Sequence, residues 1–226
     1  MERGDLDRLL RRLRGVVGDS YAFADPYEVR LYQYDASPET ALPDIVVIPG
    51  TAAEVAQVVK ICADANVPIT ARSAASSLAG GTVPVKRGVV ITFARMDRIL
   101  EIDAENLRAV VEPGVVNLNI TRAVAADGFL YAPDPSSQQV CSIGGNVAEN
   151  SGGAHCLKYG FTAHHVTGLE VVMPDGTVER FGGMAPDPPG YDVVGAFVGS
   201  EGTLGIVTRA RLRLVPLPAA RDASRA

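Results

Sequence analysis

Between Tyr131 and Gly160 the chain concentrates the residue types best suited to hold a ligand. Two glycine pairs, Gly144-Gly145 and Gly152-Gly153, bracket the run Asn146-Val147-Ala148-Glu149-Asn150. Glycine lets a backbone approach a ligand closely and take a positive φ. Successive N–H groups in such a turn form a concavity that binds anions. The chemistry expected here is the cradling of a phosphate-bearing cofactor. The competing reading is a glycine-rich turn that holds nothing. A Rossmann-type nucleotide site is disfavoured, because no Gly-x-Gly-x-x-Gly follows the first strand.

The histidines and cysteines point to less. His155, His164 and His165 are the full set of imidazoles, and the adjacent pair reads as strand, where neighbours face opposite ways and make poor co-ligands. No clustered His/Asp/Glu spacing of a zinc site appears, so no metal is expected. Cys62, Cys141 and Cys156 do not make a disulfide framework, which fits a reducing, cytoplasmic setting. Cys62 sits in an apolar helical pattern and reads as core.

Composition narrows the class. The chain has 226 residues, 47% hydrophobic and 21% charged, ordinary values for a folded protein with a sizeable core. A formal charge of −5 and the lack of a basic stripe with interleaved aromatics argue against nucleic-acid binding. The arginines between Arg8 and Arg14 read as a solvated helix face, with a membrane or partner contact as the alternative. No apolar run reaches the ~18 residues of a membrane span, and no signal peptide is apparent.

The elements that must position the ligand-binding stretch follow from periodicity. Leu6, Leu9, Leu10 and Leu13 predict a helix over 5–17. Ile45 to Ile48 is a buried strand ended by Pro49-Gly50. Thr51 and Glu54 form a capping box for a helix over 52–65, with Val55, Val58, Val59 and Ala63 on one face and Asn66 as its stop. Val67 to Thr70 is the next strand, and this strand–helix–strand unit implies parallel pairing. Further strands are expected at Gly88–Phe93, Arg98–Asp103 and Arg108–Glu112. A helix capped by Asn117 or Asn119 runs to Asp127. Val166–Met173 and Thr177–Phe181 flank the hairpin turn Pro174-Asp175-Gly176. Gly205–Val215 is the last strand. The divisions expected are a helix at 1–20, one subdomain at 21–100, a second at 101–216, and a flexible tail at 217–226.

Three stretches in order, Pro43 to Val55, Tyr131 to Gly160 and Phe197 to Thr208, resemble the FAD-linked oxidases of the vanillyl-alcohol oxidase/p-cresol methylhydroxylase class. Within that class the chain is most similar to the glycolate oxidase flavin subunit and the D-lactate dehydrogenases, from about Tyr21 to Pro218. The resemblance implies an α+β fold with two subdomains, a small parallel-containing sheet and a larger, mostly antiparallel one, with noncovalent FAD held between. The histidine that carries covalent flavin in some relatives has no counterpart in residues 70–82.

The resemblance also implies site residues. Arg72, Ser73, Ala74, Ala75, Ser76 and Ser77 would meet the diphosphate, continued by Gly80, Gly81 and Thr82. Pro133, Asp134 and Ser142 would lie beside the isoalloxazine and ribityl chain, with Gly144, Gly145 and Asn146 closing over it. Gly152, Gly153, Tyr159 and Gly160 would pack along the cofactor, and Ile206 and Val207 would touch one end of it. Glu201 either contacts flavin or caps its own turn. Cys141 and Cys156 would pack nearby without redox chemistry. Relatives show glycine where this chain has Ser73 and Ala75, and a Cβ at positive φ costs about 1–3 kcal/mol.

The activity implied is oxidation of a small D-2-hydroxy acid to the 2-oxo acid. No catalytic residue can be named in this sequence, because relatives carry most substrate-binding groups in a further, cap-forming domain. A cap-bearing or iron–sulfur partner subunit, and through it a peripheral place at the inner face of the membrane, are further implications. The rival reading is an inactive binding or assembly module that keeps the fold.

Overall fold

Valine- and isoleucine-rich runs build two sheets, and amphipathic helices cover them. The computed structural model describes residues 3–183 and 190–218. Of the tail expected from 217, residues 219–226 lie outside the described residues. Helix α1 (Arg3–Val17) buries Leu9, Leu13 and Val17. A fully buried leucine such as Leu13 contributes about 2 kcal/mol. On the outer face Arg8 meets Asp5 at 3.8 Å and Arg12 meets Asp64 at 3.9 Å. Exposed pairs of this kind add little stability.

The smaller sheet begins with β1 (Ala22–Phe23) and β2 (Ile45–Val47), the latter wholly buried. Thr51 then starts α2 (Ala52–Asp64), its hydroxyl accepting the Glu54 N–H at 3.1 Å. The Glu54 carboxylate accepts the N–H of Gly50 at 2.8 Å, one residue upstream of the usual capping-box partner. The helix buries Val55, Val58, Val59 and Cys62. Ala63, expected on that face, is exposed, and Cys62 takes its place. Burial pushes the Cys62 thiol up to about 12. Asn66 ends the helical segment at a φ of 53°.

Strand β3 (Ile69–Arg72) starts two residues later than the sequence implies. With β4 (Val89–Thr92) it completes a sheet of order β1-β2-β4-β3. Both β2 and β3 run parallel to β4, so the expected parallel arrangement holds with β4 inserted between the two strands joined by α2.

The larger sheet is formed by β5 (Ile99–Asp103) and β6 (Arg108–Val111), then, after the intervening helices, β8, β9 and β10. Helix α3 (Asn117–Val124) continues as a single 3₁₀ turn to Asp127, and Gly128 ends it at a φ of 82°. Its N-cap is Val116, not Asn117 or Asn119. The Asn117 side chain is instead buried, for a reason that belongs to the site. Strand β7 (Phe129–Leu130) leads into helices α4 (Ile143–Glu149) and α5 (Cys156–Tyr159).

Strands β8 (Val166–Val172) and β9 (Val178–Gly182) form the expected hairpin. Helix α6 (Val193–Phe197) precedes β10 (Ile206–Arg213) and β11 (Val215–Pro216). The order is β5-β6-β10-β8-β9, antiparallel throughout, and β11 pairs with β7. Each sheet has its own apolar cluster, and Val172 at the end of β8 packs into that of the smaller sheet. The architecture is the expected α+β arrangement of a small parallel-containing sheet and a larger antiparallel one.

Candidate functional site

A cleft of 410 Å³ opens at the C-terminal ends of β3 and β4 and runs to the start of β10, with α4 along one side. Its walls are of two kinds. Ile69, Phe93, Val147, Phe197, Ile206 and Val207 supply apolar surface, and the loop after β3 supplies Ser73, Ser76 and Ser77. Among the described residues, the N–H groups of Ala75, Ser76 and Ser77 have no acceptor within the chain. Unpaired donors are costly when buried. Here all three residues line the cleft, where an anion could take up such donors.

The loop departs from the expectation placed on it. Ala75 holds a φ of 53°, the left-handed region where a Cβ is penalised, but Ser73 does not. Ser73 is fixed by its side chain: its hydroxyl donates to the Pro113 carbonyl at 3.2 Å and accepts from the Ser142 hydroxyl at 2.5 Å. Ser142 in turn accepts the Ala74 N–H at 3.3 Å. These bonds tie the loop of the smaller sheet to the entry of α4.

The first glycine pair is not an open turn. Gly144 and Gly145 lie in the first turn of α4. The Gly144 N–H donates to the Pro113 carbonyl at 2.8 Å, and a Cβ there would stand 2.8 Å from the Pro113 side chain. Gly144, Gly145 and Asn146 still line the cleft, as do Arg72 through Ser77, Gly81, Thr82, Ser142, Ile206 and Val207. Gly80, Pro133, Asp134, Gly152, Gly153, Tyr159 and Gly160 do not.

Those seven occupy the surrounding backbone. A Cβ on Gly153 would overlap the Asp134 carbonyl, and one on Gly152 would stand 2.5 Å from the Phe161 ring. The second glycine pair therefore lets two chain segments touch. Asp134 accepts from the His155 backbone N–H at 3.2 Å and pairs with its ring Nδ1 at 2.5 Å. Cys156 Sγ accepts the Gly153 N–H at 2.9 Å, and Cys141 packs against Asn146. All three cysteines are free thiols.

His164 and His165 sit on a 3₁₀ turn, not a strand, yet still diverge: His164 is exposed while His165 is buried with Nε2 on the Tyr159 carbonyl at 2.9 Å. Burial pulls the His165 imidazole below its ordinary value. Among the described residues no group of His, Cys, Asp and Glu is arranged to hold a metal ion.

Charge in the cleft is unusual. Arg72 is its one lining cation among the described residues. It is 9% exposed, donates to the Tyr34 carbonyl at 2.5 Å and stacks on the rings of Tyr32 and Tyr34. Two carboxylates, Glu149 and Glu201, line the same space. Glu201 sits at a φ of 53° and donates its N–H to the Ala148 carbonyl, so it holds its own turn against α4. Sequence reasoning assigned Glu149 no role, because a helical glutamate carries no signal of what it will face.

It also missed Asn117. Fully buried, its amide donates to the Pro133 carbonyl at 3.1 Å and to Asn146 Oδ1 at 2.8 Å. Thus it links the 131–135 segment to a residue of the cleft wall.

These features suit a dinucleotide. The volume lies within the ~300–1,000 Å³ usual for small-molecule sites. Unpaired N–H groups and hydroxyls suit a diphosphate, and the apolar wall suits a flat ring system. The sequence pattern of the FAD binding domain family matches residues 43–182, and the chain belongs to that family. FAD is its cofactor. The fold is that of the p-cresol methylhydroxylase type: the chain superposes on p-cresol methylhydroxylase with a TM-score of 0.80, at 24% identity, over 97% of this chain and 45% of the other.

Its relatives include the glycolate oxidase subunit GlcD of Bacillus subtilis (strain 168), 50% identical over 83% of this chain and 40% of the relative. A D-lactate dehydrogenase of Anaerostipes hadrus is 37% identical over 79% of this chain and 38% of the relative. The chain thus spans about two fifths of the length of these relatives.

Proposed function

We propose that this chain is the FAD-binding part of an oxidoreductase that oxidises a D-2-hydroxy acid, of the glycolate or D-lactate kind, to the 2-oxo acid. The observation that carries the reading is the cleft itself, with unpaired backbone donors on one wall and apolar side chains on the other, in a chain whose relatives act on such acids. Bound FAD supplies the two-electron acceptor for the oxidation.

In this reading the N–H groups of Ala75, Ser76 and Ser77 hold the diphosphate, assisted by the serine hydroxyls, Gly81 and Thr82. Ser142, Gly144, Gly145 and Asn146 flank the ribityl side, and Ile206 and Val207 give the apolar end. Attachment is noncovalent in this reading, because the loop at residues 70–82 holds no histidine of the kind that carries covalent flavin in some relatives. The division near residue 100 marks the two halves that grip the cofactor. Groups that bind the acid belong to the portion of the relatives that this chain does not span, either in the same polypeptide or on a partner subunit. Three free thiols fit a cytoplasmic setting. No helix among the described residues is long and apolar enough to cross a membrane.

The test is an absorbance spectrum of the purified protein followed by titration with FAD. Flavin bands or saturable binding support the reading. A colourless protein that does not take up FAD overturns it and favours an assembly module, for which the strained Ala75 is the motivating observation.

A further inference from the structure

Glu149 is the residue of the cleft hardest to reconcile with a doubly charged ligand. It ends α4, lines the cleft, and faces the loop after β3, where its Oε1 would stand 3.7 Å from a Cβ on Gly81. The ionisable groups around it are mostly of the same sign. Glu201, which lines the same cleft from the turn before β10, and Asp35, on the segment between β1 and β2, both act on it through their charge. Asp35 accepts the Ser37 N–H at 2.8 Å and the Thr82 hydroxyl at 3.4 Å. Burial opposes its charge, but these bonds hold it below the usual carboxylate range. The cation of the cleft, Arg72, is already engaged by Tyr34. Among the described residues, the Ser77 hydroxyl is the neutral donor that acts on Glu149.

A diphosphate brought into this space adds negative charge beside the lining carboxylates Glu149 and Glu201, with Asp35 acting from behind, against Arg72 as the one lining cation among the described residues. Such a set relieves itself by protonating its most easily neutralised member. Burial first, then Glu201 and Asp35, already push Glu149 above its ordinary value, with Ser77 acting the other way. Resting on the FAD reading, we propose that Glu149 is a cofactor-binding residue that enters the complex as the neutral acid, its O–H donating to the dinucleotide, so that binding takes up a proton.

The sign follows from linkage. The complex holds more protons than the free protein and free FAD together, so raising the pH favours dissociation. Above the value of free Glu149, the Kd rises by up to about tenfold per pH unit.

The test is titration of FAD into the full chain from about pH 5.5 to about pH 8.5, with calorimetry in two buffers of different ionisation enthalpy to count protons directly. Wild type is expected to lose affinity as pH rises and to take up protons on binding. Glu149→Gln is expected to bind with a pH-independent Kd, tighter than wild type at the alkaline end, and Glu201→Gln to keep the slope. FAD binding without slope or proton uptake overturns this inference and leaves the FAD reading standing. Proton uptake that persists in Glu149→Gln, or vanishes in Glu201→Gln, assigns it elsewhere and also overturns it. No FAD binding by any form is the separate failure of the FAD reading. Should Glu149→Gln not fold, the wild-type proton count is taken with that of Glu201→Gln: uptake in both supports the inference, and its absence in either overturns it.

Discussion

The loop after β3 and the segment from Ser142 to Gly160 both look like glycine-type ligand loops in sequence, yet they use small residues for opposite reasons. The loop after β3 carries Ser73 and Ala75 where the family resemblance implies glycines. It accepts Ser73 because the backbone there needs no positive φ, and it carries strain at Ala75, where the φ is 53°. The later segment keeps its glycines, but Gly144 and Gly153 are demanded by protein contacts, with Pro113 and with the Asp134 carbonyl. A glycine in a binding motif can therefore answer to packing, and a serine in one can be at ease.

The sharpest way to break this contrast is Gly153→Ala. The Cβ meets backbone that cannot swing away, so a loss of about 3 kcal/mol is expected, read as a shift in the denaturant midpoint. An unchanged midpoint would show that the glycine serves a ligand and not the fold. Gly144→Ala comes next. Proline ring and carbonyl must both yield, for a loss of about 2 kcal/mol in the same assay, with weaker FAD binding as a consequence.

The first loop should respond on a smaller scale and with both signs. Ser73→Gly removes the bonds to Pro113 and Ser142, and about 1 kcal/mol of stability should go with them. A gain instead would return Ser73 to the strained class. Ala75→Gly relieves a left-handed residue at some cost in chain entropy, for a net gain of about 0.5 kcal/mol, read as a small upward shift of the denaturant midpoint.

Much of the fold was legible. Valine and isoleucine runs marked β2, β4, β6, β8 and β10, and Pro174-Asp175-Gly176 marked the hairpin of β8 and β9, because these signals are local. Thr51 with Glu54 located the start of α2 for the same reason. Helix α4 was not legible, since two glycines in its first turn read as an irregular loop. Its stability comes from tertiary ties such as the bond from Gly144 to Pro113. Asn117 looked like a helix cap because asparagine favours that position. Its amide found better partners across the fold, at Pro133 and Asn146.

The sequence by itself determined the family, the order of the strands along the chain and the loop after β3 that lines the cleft, because motif spacing and hydrophobic period are properties of neighbouring residues. Tertiary structure alone decided which glycines touch protein and which face the cleft. It also decided that Glu149 feels the charges of Asp35 and Glu201, and that Arg72 bonds the Tyr34 carbonyl. These pairings join residues tens of positions apart. Their energies depend on distance and burial, which exist only once the two sheets have closed around the cleft.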